Sequence, residues 1–411
     1  MSLLSRRTAI AVFLAFALAY FFSALVRAIT ATLAPTLTQE FALQARDLGL
    51  LAGGYFLGFA AIQLPLGTLL DRHGPKTVIL WFLAIAVAGC VAFALADSFV
   101  GLLIARVLCG VGVSACLMAP LTGFRRWLEP TALLRANSWM LMTGSLGMVA
   151  STLPVQWLVP VVGWRPLFWA LAVLVAVSMA VIAWQVPPWS RPLASGPGGP
   201  ASYASVWRHP YFRRMTPLGF FVYGGLVAMQ TLWAGPWMVR VAGYTPLQAA
   251  TGLFWINLSM LGTFWTWGLV NPMLARRGLG TDRLIAWGLP SSFLLMAIII
   301  IANKDLGTWT IAFFSLYCMG CSFVSLAQPA VGMAFSPVLA GRALTAYNLV
   351  IFSGVFVVQW GIGLMIDGFR AAGLAELAAF QAAFGVYLMC CVASYGVFVW
   401  AGRDNLAQTT P

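Results

Sequence analysis

The chain is 411 residues long, 61% hydrophobic and only 8% charged, with a formal net charge of +13. A soluble globular domain carries roughly 25% charged residues, so a water-soluble fold is excluded and a lipid environment suits the composition. In such a chain the basic excess is read loop by loop, as a topology signal and not as an affinity for nucleic acid.

Twelve apolar segments run through the sequence, each about 18–25 residues, the length an α-helix needs to cross roughly 30 Å of hydrocarbon. They are placed at 10–33, 48–70, 77–96, 100–122, 137–161, 166–186, 214–239, 247–271, 284–302, 308–330, 344–367 and 377–401, and are called helices 1 to 12. With the N-terminus in the cytoplasm, sixteen Lys and Arg fall on the inner side, from Arg6 and Arg7 to Arg403. Five fall on the outer side: Arg46, Arg165, Arg240, Lys304 and Arg370. This positive-inside bias predicts that both termini are cytoplasmic. The first apolar run follows Arg6 and Arg7 but exceeds a signal-peptide core, so it reads as an uncleaved helix. All seven cysteines fall within predicted spans, with neither a disulfide framework nor a metal-ligand spacing.

One stretch breaks the rhythm. Between Pro187 and Phe212 lies Ser195-Gly-Pro-Gly-Gly-Pro200, whose Gly and Pro density opposes regular structure. It divides the chain into an N-terminal six-helix unit (1–186), a cytoplasmic linker (187–212) and a C-terminal six-helix unit (213–411). The halves echo each other: Arg135 precedes Gly147 by twelve residues at helix 5, and Arg342 precedes Gly354 likewise at helix 11. Internal duplication is common in secondary transporters. Helices 3, 6, 9 and 12 carry no charge within their spans and can face lipid, whereas buried charge is confined to Arg27 in helix 1 and Arg106 in helix 4.

Between helices 2 and 3 the chain reads Gly67-Thr-Leu-Leu-Asp71-Arg72-His73-Gly74-Pro75-Lys76. Gly67 would permit close helix approach, Asp71 would bond backbone donors or a basic partner at a neighbouring helix end, and Gly74 would support a tight turn. The segment resembles the signature loop of the major facilitator superfamily, with Pro75 a departure where a basic residue is frequent. Leu102-x-x-x-Arg106-x-x-x-Gly110-x-Gly112 is similar to a second motif of that family, with Cys109 at a commonly polar position. Gly163-Trp-Arg-Pro-x-Phe168 looks like its outer turn before helix 6, and the helix 8–9 loop, with Arg276 and Arg277, like a degenerate copy of the first motif. The resemblance implies an all-α membrane protein with twelve transmembrane helices in two six-helix bundles, around a cavity lined chiefly by helices 1, 4, 7 and 10. It further implies transport by rocking of the bundles, with Gly67, Asp71, Arg72 and Gly74 forming a cytoplasmic latch.

Arg27 lies about 9 Å outward of the middle of helix 1, and Arg106 about 7–8 Å outward of the middle of helix 4, at 1.5 Å per residue. An arginine at such depth costs a few kcal/mol unless it meets water, a partner or a ligand. Snorkelling of Arg27 to the interface and a helix–helix hydrogen bond for Arg106 are the structural alternatives. No Asp or Glu lies mid-span to neutralise them; Asp367, Asp47 and Glu40 fall at the outer rim. Two guanidinium groups without a central carboxylate favour an anionic small molecule, a carboxylate or phosphate held bidentately. Tyr20, Tyr223, Gln230, Asn257, Tyr317 and Asn348 are candidate cavity groups, with Trp233 and Trp255 as an aromatic wall.

No phosphate-binding Gly-x-x-x-x-Gly-Lys loop is present, so ATP is not the direct energy source, and no cofactor is implied. His73 and His209 fall in cytoplasmic loops. The reading is proton-linked uptake of a small organic anion by a monomer in a plasma membrane; short loops point to a bacterial inner membrane. The rival is a proton-coupled efflux antiporter for drugs or metabolites. Helix 5 lacks the Gly-Pro-centred motif of such proteins, with Gly147 and Pro154 seven residues apart, whereas the Arg106 motif speaks for it. A membrane enzyme would need paired acids, a Cys–His pair or metal ligands near a face, and none is patterned here.

Overall fold

In a computed structural model the structure describes residues 4–189 and 203–407. Nine helices among them are long and apolar enough to cross a membrane, ten with the bent pair Arg135–Ala150 and Leu153–Val162. Two of these are double. Gln63–Leu95 turns at Gly74, whose φ of 81° suits a residue without a Cβ. Thr281–Met333 turns at Asn303 and Gly307, both at positive φ. Counting these turns as loops gives twelve spans.

Helix 1 is Arg6–Phe41. Helix 2 is Ala45–Ala61 and its continuation to residue 73, and helix 3 spans 75–95. Helix 4 is Phe99–Trp127, helix 5 the bent pair, and helix 6 Trp164–Gln185. Helix 7 is Pro210–Arg240, helix 8 Pro246–Arg276, helix 9 Thr281–Ala302 and helix 10 residues 310–333. Helix 11 is Pro337–Ala371 and helix 12 Glu376–Ala407. Several run past the apolar core, and polar end groups cap some of them. Asp47 accepts from the Gln44 amide at 3.0 Å, and Ser98 from that of Gly101 at 3.2 Å. Thr245 and Gln248 cap each other's backbone amides.

The Ser195–Pro200 run of the expected linker lies outside the described residues. Its flanks are ordered against the bundles. Trp189 stacks beneath Arg126, 4.3 Å from guanidinium carbon to ring centroid, and fills the space that a Cβ on Gly74 would need. A short helix, Tyr203–Arg208, follows, and the Tyr203 hydroxyl lies 3.4 Å from both the Leu64 carbonyl of helix 2 and Thr345 of helix 11.

The two halves pack by the same rule. A Cβ on Gly147 of helix 5 would strike the Phe21 carbonyl of helix 1, and one on Gly354 of helix 11 the Phe220 carbonyl of helix 7. Lipid exposure departs from the sequence expectation at helix 8. Only 22% of its most apolar stretch is buried, less than the 33% of helices 6 and 12, while helix 7 is 78% buried.

Away from the face that carries both chain ends, the bundles close on each other. Gly49 and Gly53 of helix 2 lie against the Gln359 carbonyl and Phe356 of helix 11, and Gly363 lies against the Ala45 carbonyl. Gly235 of helix 7 meets the Ala31 carbonyl of helix 1. Asp367, at the far end of helix 11, accepts from the backbone amides of Arg46 at 2.8 Å and Ala45 at 3.3 Å. It thus caps the N-terminus of helix 2, whose unpaired amides and dipole favour a negative charge.

Candidate functional site

Mid-membrane, on the chain-end side of that closure, lies a cavity of about 140 Å³. Helix irregularities shape it. Helix 4 breaks at Ser114, helix 7 makes π-helical turns over Leu218–Tyr223 and Met229–Trp233, and helix 10 tightens over Ser322–Leu326. Such turns free backbone groups and re-aim side chains, and within a membrane they are tolerated where protein or a cavity receives them.

Arg27, Tyr20, Tyr223 and Asn348 line this cavity. The Arg27 guanidinium carbon stands 5.8 Å from the Phe59 ring centroid, with the hydroxyls of Tyr20 and Tyr55 as its hydrogen-bonding neighbours. It does not snorkel to an interface. Asn348 accepts from Gln328 Nε2 at 2.6 Å, which fixes both amides on the wall. Among the described residues no carboxylate lines the cavity.

Arg106 stands elsewhere. It is fully buried behind the wall, donates from Nη1 to the Val26 carbonyl at 2.9 Å, and lies 5.0 Å from the centroid of the Tyr55 ring. Similar depth did not put the two arginines on the same surface, because the faces of helices 1 and 4 point them differently. Arg106 therefore braces the backbone beside Arg27, and Tyr55 separates the two cations.

Five other sequence candidates also lie outside the cavity. Trp255 is 53% exposed on helix 8 and does not line the cavity, so it forms no aromatic wall there. Trp233 is buried within the C-terminal bundle, beside Phe380, and donates to the Gln359 carbonyl at 3.0 Å. Asn257 donates to Leu253, one turn back in its own helix. Tyr317 pairs with the Tyr387 hydroxyl at 2.8 Å. Gln230 is buried in the second π-helical turn, where helix 7 meets helix 1.

The cavity also takes residues from helices 2, 5 and 11, beyond the four helices the family resemblance implied. Phe59 and Phe352 stand 4.3 Å apart across the bundle interface, and Gln63, Ser114 and Gln328 add polar groups. Two of these had a legible signal. Gln63 and Gln328 each stand beside a proline inside a span, at Gln63-Leu-Pro65 and Gln328-Pro329, where the helix ladder is already interrupted.

At the helix 2–3 turn, Asp71 and Arg72 are exposed, and the charge of Arg342, at the start of helix 11, acts on Asp71. Gly67 does not work as a close-approach glycine: a Cβ there would meet open space. His73 packs at a tilt against Trp81, ring centroids 5.1 Å apart, and His209 against Phe335 at 4.4 Å, both away from the cavity.

The arrangement is two six-helix bundles closed on one side of a partly polar cavity. The chain belongs to the Major Facilitator Superfamily, whose model matches residues 16–359. It is 31% identical over 215 residues to the inner membrane transport protein YajR of Escherichia coli, a stretch covering 50% of this chain and 46% of that one. It is 26% identical over 144 residues to the probable L-galactonate transporter of Escherichia coli, covering 34% and 31% of the two chains. To the multidrug transporter MdfA of Yersinia pestis it is 30% identical over 158 residues, covering 38% and 36%. The matched stretches thus span less than half the length of these relatives. The fold follows that of a bacterial homologue of the human lysosomal transporter Spinster, in an inward-facing, unoccupied conformation. The TM-score there is 0.78 at 18% identity, with 99% of each chain covered. A D-xylose–proton symporter has the same fold, with a TM-score of 0.75 at 13% identity over 95% of this chain and 97% of that one.

Proposed function

We propose that this transporter takes up a small organic anion, a carboxylate, across the plasma membrane by alternating access, linked to protons. The observation that carries the reading is Arg27. Its Nε is buried without a partner, in a cavity that no carboxylate of the described residues neutralises. A buried guanidinium in that state is completed by an anion that accepts from its donors. Relatives that carry anions, the probable L-galactonate transporter and a hexuronate transporter of Escherichia coli, support it. Without a cavity carboxylate, the proton would travel on the substrate or on a rim acid such as Asp367 or Asp47. In this reading the chain-end face is cytoplasmic, in keeping with the charge bias, and the protein works as a monomer in a bacterial inner membrane. The exposed turn around Asp71 and Arg72, with Gly74, then serves as the cytoplasmic latch, with Arg342 as its counterpart.

Efflux of drugs or metabolites by proton antiport is the second reading, favoured by the stretch shared with MdfA. The cavity volume of about 140 Å³ weighs against it, since pockets that take drug-sized ligands enclose roughly 300–1,000 Å³. A thermal-shift series with purified protein separates the two. At a hundred times its dissociation constant a ligand adds about 2.7 kcal/mol to the native state. Shifts from small carboxylates that vanish in Arg27→Ala are expected; shifts from cationic dyes that survive the substitution would put efflux first.

A further inference from the structure

Among the described residues that line the cavity, two buried side-chain atoms have no hydrogen-bond partner, Arg27 Nε and Gln63 Oε1. Gln63 is 1% exposed, and its amide orientation is fixed, because Nε2 donates to the Phe59 carbonyl at 3.3 Å. The oxygen is therefore the free end, and it can only accept. Phe59 ties the two together, since its ring lies 5.8 Å from the Arg27 guanidinium carbon and Gln63 follows it by four residues, about one helical turn. A charged donor and a neutral acceptor thus belong to residues that line one cavity with Phe59. The Asn348 oxygen, also in the lining, already accepts from Gln328 Nε2 at 2.6 Å and so, unlike Gln63 Oε1, is not left without a partner.

A plain carboxylate completes Arg27 and leaves Gln63 Oε1 bare. Buried polar atoms in native proteins are almost always paired, so the bound molecule should bring a donor of its own. An ammonium would lie beside Arg27 with no carboxylate lining the cavity to offset it. A hydroxyl donates without that repulsion. We propose that Gln63 is a specificity-determining residue, and that its Oε1 accepts from a hydroxyl of a hydroxycarboxylate whose carboxylate lies on Arg27. This rests on the anion reading above and narrows it to hydroxylated acids.

The test uses matched pairs of equal charge and nearly equal size, lactate with propionate and malate with succinate, binding to the purified full-length protein. In the native chain the hydroxylated member of a pair should bind about tenfold more tightly, the weight of one buried hydrogen bond. Gln63→Leu should bring the hydroxy acid down to the level of its plain partner and leave that partner unchanged, and Gln63→Met should do the same. Equal affinities within both pairs in the native chain would overturn the role of Gln63 and leave the anion reading standing. Binding of neither member of either pair would overturn both. Should both variants fail to fold, the native comparison decides alone.

Discussion

Arg27 and Arg106 look alike in the sequence, and their place relative to the cavity tells them apart. Arg106 donates to the Val26 carbonyl and lies against Tyr55 with Nε and Nη2 buried unpaired behind the wall, whereas Arg27 lines the cavity itself. Composition revealed that both were costly, but not which face each presents, because a helix position fixes depth far better than the packing around it. Arg106→Ala should therefore destabilise the protein with or without ligand, through lost packing and a loosened Tyr55, by about 2–4 kcal/mol on the scale of other large-to-small core changes, seen as a lower melting temperature in both states. Arg27→Ala should leave the ligand-free melting temperature near that of the native protein and abolish the carboxylate shift. If both variants lost stability equally and both still bound carboxylates, their roles would be misassigned. Trp255 was misplaced for a related reason: an aromatic on an apolar helix carries no mark of lipid or cavity. Trp255→Ala should change carboxylate affinity less than twofold in the same assay.

Among elements, the twelve-residue spacing of Arg135 to Gly147 and of Arg342 to Gly354 carried real structural information. Both glycines admit the backbone of a neighbouring helix, helix 1 in one half and helix 7 in the other. Helix number and the turn at Gly74 were also legible, since apolar length and a glycine at positive φ are local properties. The closure opposite the chain ends was not, because its partners lie more than two hundred residues apart. Asp367 reads in sequence as a rim acid, and only the fold shows that it caps helix 2 across the bundle interface. Asp367→Ala removes both of those hydrogen bonds. A lost helix cap costs about 1 kcal/mol, so the population opened on that face should rise about fivefold. A cysteine at Leu43, a buried position next to the capped turn, should then label correspondingly faster with a thiol reagent. An unchanged rate would mean that Asp367 does not hold the closure.

For the whole molecule, composition and charge bias gave membrane residence and a topology that the twelve spans accommodate, with both chain ends on one face. Epitope tags at the two ends should resist protease added outside intact cells and be cleaved after the membrane is opened; cleavage of either tag in intact cells would reverse the orientation. Substrate chemistry was legible only in part, since the cavity draws on seven helices and its second orphan group, Gln63, lies beside a proline in a span otherwise unremarkable for polarity. The central claim is that Arg27 receives an anion during transport, and uptake of a radiolabelled hydroxycarboxylate such as lactate into proteoliposomes under an imposed pH gradient tests it most directly. The account predicts uptake that rises with an inwardly directed proton gradient and falls at least a hundredfold in Arg27→Ala, the loss expected for a charged hydrogen bond of about 3 kcal/mol. Uptake that persisted undiminished in Arg27→Ala would contradict it.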